Sequence, residues 1–178
     1  MSDELKKYIS LKSHREQLQK NPRAYTIDLK RCYSSVKTHL RKCGASLSSR
    51  KKPKIQQNII TYVDLIFLAQ DKKPFFYINS ELPLCWNVPH HGGWDLDYIK
   101  YEWGHLYSIN QNREESHSLE NLCLQSGRCN QHIQSSLNVS ELSVYGGKLR
   151  ETIERNLDSR ERLFKTEEWK KVVDYLLS

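Results

Sequence analysis

Residues 101–137 read YEWGHLYSINQNREESHSLENLCLQSGRCNQHIQSSL, and this stretch decides the fold. The segment 97–103 alternates as a strand and runs into Gly104-His105. A polar loop, INQNREESHS, follows at 109–118, then a short strand at 121–124. The pattern predicts a helix over 128–137, with Cys129-Asn130 in its first turn. Such a strand–loop–strand–helix unit can fold a histidine at a strand end back over a helical residue. It marks His105, Asn121 and Asn130 as candidate site residues. Each has an ordinary reading by itself: a packed histidine, a turn asparagine, a helix N-cap. Their joint order and spacing carry the weight.

Outward from this unit the chain is helical. A charged helix is expected over 3–20, ending before Asn21-Pro22. Thr26 is placed to cap a second helix, with Leu29, Cys32, Val36, Leu40 and Cys43 along one face and Gly44 as its stop. The stretch ASLSSRKKPK, 45–54, reads as a basic loop. Pro53 opens a third helix striped by Ile55, Ile59, Val63, Ile66 and Phe67. FFYI at 75–78 is a strand candidate. Pro83, Pro89, Gly92 and Gly93 make 80–93 loops and turns. Ser140 and Thr166 are candidate caps for C-terminal helices, one lined by Leu149, Ile153 and Leu157, the last by Trp169, Val172, Val173 and Leu176. The expected class is α+β, with helices flanking a small β-rich centre.

Composition narrows the function. Of 178 residues, 38% are hydrophobic and 28% charged, so much of the chain must face water. No apolar run approaches the roughly 20 residues that span a bilayer. The charged start, MSDELKKYISLKSHREQ, lacks the apolar region of a signal peptide. The expectation is an intracellular protein, cytoplasmic or nuclear, neither secreted nor membrane-bound. Residues 1–54 hold 15 Lys/Arg against 4 Asp/Glu, whereas 55–178 hold 13 against 17. A basic end on a weakly acidic body suits a polyanion, although a merely solvated surface has the same composition. The cysteines, Cys32, Cys43, Cys85, Cys123 and Cys129, are odd in number and form no Cys-x-x-Cys pair. That argues against a disulfide framework and against an ordinary zinc ribbon.

The order His105, Asn121, Asn130, with Cys129 before the last and eight residues between the two asparagines, resembles the HNH (ββα-metal) endonuclease family of restriction and homing type. The resemblance covers roughly residues 81–140. It implies a ββα-metal centre flanked by N-terminal and C-terminal helices. It implies His105 as general base, since a neutral imidazole can take a proton from water. Asn121 would hold the loop and orient His105. Asn130 would offer an amide oxygen to Mg²⁺ or another divalent cation such as Mn²⁺. The implied reaction is hydrolysis of phosphodiesters in double-stranded DNA, with site-specific cutting of both strands by a homodimer.

The sequence departs from the family at two points. Where most members carry an acidic residue or histidine before the catalytic histidine, this chain has Gly104, as in relatives with Asp-Arg-Gly-His. Glu102 is the best substitute ligand, ahead of Asp95 and Asp97, because alternation places it on the face of Gly104. The paired cysteines that brace many members with structural Zn²⁺ are also missing. A non-standard set from Cys85, Cys123, Cys129 and His132 is the weaker alternative to small buried thiols.

Arg50, Lys51, Lys52, Lys54 and Arg128 are the expected DNA contacts. His90-His91 read as an exposed turn, His117 and His132 as weak candidates, and Trp86, Trp94 and Trp103 as packing. The organisation expected is a basic helical, DNA-binding region at 1–70, a nuclease core at 71–140, and C-terminal helices at 141–178 that pack on the core or form a dimer contact. The rivals are a nonspecific nuclease of the same family and a non-catalytic nucleic-acid-binding module with a decayed site.

Overall fold

The computed structural model describes residues 22–48, 52–72, 75–76, 101–108, 114–126, 130, 137–144 and 147–178. Cys32, Val36, Leu40 and Cys43 recur every three or four residues, and all four are buried. The first three lie on α1, Pro22–Lys42. This helix opens at Pro22, whose fixed φ suits a first turn. Thr26 therefore lies inside α1 rather than capping it. Gly44, at φ +86°, closes the helix: its N–H donates to Arg41 O (3.1 Å) and the Ala45 N–H to Leu40 O (2.9 Å). This is the left-handed closure for which glycine is suited.

After Gly44 the chain passes to α2, Lys52–Ala69. Its expected stripe of Ile55, Ile59, Val63, Ile66 and Phe67 is buried, and so are Tyr62 and Leu65. The two helices hold a hairpin of β1, Tyr101–His105, and β2, Leu122–Ser126. The strands are antiparallel, with Trp103 opposite Leu124 and His105 opposite Leu122. His105 is thus the last residue of β1. Asn121 ends a short 3-10 helix, Leu119–Asn121, instead of opening the second strand, because Ser118 caps that turn by accepting from the Glu120 N–H. Another short 3-10 helix, Glu114–His117, lies where a loop is expected.

A two-stranded sheet leaves backbone groups open at its edges. Here side chains close the β2 edge. The Gln70 amide accepts from the Leu124 N–H (3.0 Å) and donates to Leu124 O (2.8 Å), pairing as a strand would. Phe75 N–H also donates to Leu124 O. Phe75 and Phe76 are buried in a turn, however, and not in the strand expected at 75–78; residues 77–78 lie outside the described set.

The C-terminal helices are α3, Val139–Ser143; α4, Gly147–Phe164; and α5, Glu167–Leu177. The cap of α3 is Asn138, not Ser140: Asn138 and Glu141 form a reciprocal capping box. Thr166 caps α5 as expected, its hydroxyl accepting from the Trp169 N–H (3.2 Å). Leu149 and Ile153 of α4 are buried, but Leu157 remains 36% exposed. Trp169, Val172 and Leu176 of α5 are buried, with Val173 packed beside them.

One core joins Cys32, Leu40, Tyr62, Trp103, Leu124 and Trp169, so residues from all three expected regions share it. The chain is a mostly helical α+β protein with a two-stranded antiparallel hairpin among helices. No described helix is long and apolar enough to cross a membrane. The expected helix at 3–20, the loops at 80–93 and most of the helix at 128–137 lie outside the described residues.

Candidate functional site

Alternation gives β1 two faces. Tyr101, Trp103 and His105 share the face toward α1; Glu102 and Gly104 share the other. The first assignment is fixed by contact: Trp103 Nε1 donates to Cys32 O of α1 (3.0 Å). Trp103 is 4% exposed, which makes it a packing residue as expected.

Asn121 is a latch on the loop after β1. Its Oδ1 accepts from the Tyr107 N–H (2.8 Å), and its Nδ2 donates to Tyr107 O (2.8 Å) and Ser116 O (3.0 Å). The Leu106 N–H in turn donates to Asn121 O (3.0 Å). Both sides of the loop, immediately after His105 and immediately before β2, are therefore fixed through one buried amide. The 3-10 turn that carries it is held from behind. Arg160 of α4, fully buried, donates to Glu120 O and Leu122 O, each at 2.7 Å. Tyr62 of α2 donates to Leu119 O (2.7 Å).

Asn130 lies against the other face of β1. Its Nδ2 donates to Glu102 Oε2 (3.2 Å) and approaches Trp103 O (3.5 Å). A Cβ built on Gly104 would stand 2.8 Å from Asn130 Oδ1 and 2.1 Å from Gln125 Nε2. A side chain at 104 would therefore require the Gln125 and Asn130 amides to move. An acidic side chain there would occupy the space that the Asn130 and Gln125 amides fill. Glu102, the substitute proposed from alternation, is the carboxylate in contact with Asn130. The pair offers one carboxylate and one amide oxygen, hard donors of the kind Mg²⁺ takes when waters complete its shell.

His105 turns the opposite way. Its ring packs on that of His39 of α1, with centroids 5.3 Å apart and planes inclined by 46°. It is half-buried, and its Nε2 is shut off from solvent. Burial, then the neighbouring His39, Lys42 and His117, push its pKa from 6.5 down to about 4. Burial and Lys42 also lower the pKa of His39. His105 is therefore neutral at pH 7, as a general base must be, but less basic than an ordinary imidazole. The amide of Asn130 and the imidazole of His105 lie one residue apart along β1, on opposite faces of it. They share the strand's end and do not face each other across one gap.

His39 was not among the residues singled out from sequence. Its signal was present: three residues after Val36 and four before Cys43, it falls within the buried stripe of α1. His117 is exposed. Cys32, Cys43 and Cys123 are buried, and the first two thiols donate to the Tyr101 and Ser118 carbonyls. Burial pushes the Cys43 thiol up to about 11, so it is not a reactive thiolate. No three His, Cys, Asp or Glu side chains group as a metal site among the described residues. The alternative zinc ligands Cys85, Cys129 and His132 lie outside that set, as do Arg50, Lys51, Arg128, Asp95, Asp97, His90, His91, Trp86 and Trp94. Lys52 opens α2 and Lys54 is exposed on it. No family model, curated protein or solved structure matches the chain.

Proposed function

We propose that the chain is a metal-dependent DNA endonuclease of the HNH (ββα-metal) type, acting at the loop end of the β1–β2 hairpin. The observation that carries this reading is the convergence of His105, Asn121 and Asn130 on that one hairpin, in the order the resemblance requires. Each contributes differently. Asn121 fixes the loop that leaves His105. His105 takes a proton from the attacking water. Asn130 and Glu102 hold a divalent cation, which when bound neutralises charge on the phosphate and leaving oxygen. A phosphodiester anion brought to this end opposes the depression of the His105 pKa, so the base strengthens as substrate binds.

Double-stranded DNA is the substrate in this reading, with Lys52 and Lys54 among the phosphate contacts. Site-specific cutting of both strands calls for two copies of the chain.

The test is plasmid cleavage with Mg²⁺, Mn²⁺ or EDTA, using the wild-type chain and the His105→Ala and Asn130→Ala variants. The wild type is expected to cut only with a divalent cation. His105→Ala should lower the rate by about 10²–10⁴-fold without weakening DNA binding, the usual contribution of a positioned base. Asn130→Ala should raise the Mg²⁺ concentration needed for cleavage. Discrete fragments support a site-specific enzyme and a smear a nonspecific one. DNA binding without cleavage under every cation would replace the nuclease with a binding module.

A further inference from the structure

We propose that His39 of α1 is a positioning residue for His105, the second imidazole of a coupled pair that places the basic helix α1 inside the catalytic site. This rests on the reading of His105 as the base and adds to it a residue that the resemblance does not supply, 66 residues earlier in the chain.

The argument begins with α1. Cys32 and Val36 set its buried stripe, and Trp103 Nε1 ties β1 to Cys32 O at 3.0 Å. With that contact fixed, the next inward position two turns along α1 meets the end of β1, and the residue there is His39. Its ring reaches the ring of His105 at 5.3 Å. An apolar residue would pack equally well at such a place. Instead His39 carries a buried Nδ1 with no hydrogen-bond partner among the described residues. A buried polar atom left so costs stability, and an imidazole retained at that cost calls for a role beyond packing.

The surroundings say what the role is. Lys42 follows His39 by one turn of α1, and His117, in the 3-10 helix before Asn121, is the other side chain acting on His105. Among the described residues, Lys42 acts on both imidazoles, and His39 and His117 act on His105. Two imidazolium ions at this spacing repel, so the pair titrates as a unit and holds one proton more readily than two. His39 therefore does two things. It fixes the ring plane of His105, and it makes the ease with which His105 accepts a proton depend on the charge of α1. A polyanion lying along the last turn of α1, over His39, Arg41 and Lys42, would offset that charge and raise the basicity of His105 where substrate is bound.

The experiment follows the imidazole Cε1–H signals of the full chain by NMR across pH 3.5–8. His105 is assigned by the signal lost in His105→Gln. In His39→Phe, which keeps a ring in place and removes the charge, the His105 midpoint is expected to rise by at least about half a unit. His39→Gln should act in the same direction. Coupling is reciprocal, so His105→Phe must raise the His39 midpoint by a similar amount. A His105 midpoint that stays put in the folded His39 variants, or a His39 midpoint indifferent to His105→Phe, overturns the proposal. Cleavage separates this outcome from failure of the nuclease reading. If the wild type cuts, His39→Phe should move the acid limb of kcat to higher pH and leave KM for DNA within about twofold. If the wild type never cuts yet the midpoints move together, the pair stands and the nuclease reading alone falls.

Discussion

The two faces of β1 are built on opposite terms. The face toward α1 is aromatic and closed: Tyr101 and Trp103 are buried, and His105 continues their row into the ring of His39. The face toward Asn130 is polar and close-fitting. There Glu102, Gln125 and Asn130 crowd around a glycine whose missing side chain makes the room. One strand thus carries a depressed imidazole on one side and a pair of oxygen donors on the other. Within five residues, the strand keeps a desolvated imidazole and a pair of oxygen donors on different faces.

Three perturbations test how far the faces are independent. The largest effect on stability is expected from Asn121→Ala, which belongs to neither face but anchors the loop joining them. It removes three hydrogen bonds of a buried amide, to Tyr107 and Ser116, and should cost about 2–4 kcal/mol in urea denaturation. An unchanged midpoint would mean that the latch does not hold the hairpin end.

Next comes Gly104→Ala, confined to the polar face. A methyl group meets Gln125 Nε2 and Asn130 Oδ1, and overpacking of this kind costs about 1–3 kcal/mol. Combining it with Gln125→Ala should recover part of the loss. Additive losses would show that Asn130, and not Gln125, is the obstacle.

The smallest effect is the pH dependence that belongs to the aromatic face. His105 has a folded pKa of about 4 against an ordinary 6.5, and that of His39 is lowered too. The unfolded chain therefore binds more protons in this interval. Stability is fully present above pH 6.5 and falls as pH drops toward 4. Thermal denaturation at several pH values should show Tm falling through that window, with a shallower slope in His105→Phe. A slope unchanged by that substitution would assign the window to other groups.

Much of this fold was legible because its causes are local. The stripe of α1, the stop at Gly44 and the burial of Ile55, Ile59, Val63 and Ile66 on α2 depend on spacing and backbone conformation alone. The hairpin was legible to within a few residues. The caps were less so: Asn138 and Ser140 are both good cap residues, and the choice turned on which of them has a glutamate three positions later to complete the box. Of the site, alternation correctly placed Glu102 with Gly104. It did not reveal that Asn130 fills the space above Gly104, nor that His105 meets His39, because both contacts depend on how separate elements dock. Polar side chains buried far from their partners in sequence were the hardest to read. Gln70 lies 54 residues from the strand position it pairs with, and Arg160 lies 38 from the carbonyl it reaches at Leu122.

Those last two side chains have a consequence for how the hairpin can be used. Because a glutamine just after α2 and an arginine of α4 finish the margin of β2, residues 101–137 are not a self-sufficient cassette. Excised as a peptide, they would lack the donors and acceptors that complete the strand, and two short strands alone are marginal in water. Grafted onto another scaffold, the motif would have to bring equivalents of Gln70 and Arg160 with it. In the native chain, the loop end of the hairpin is held by side chains from the helices before and after it.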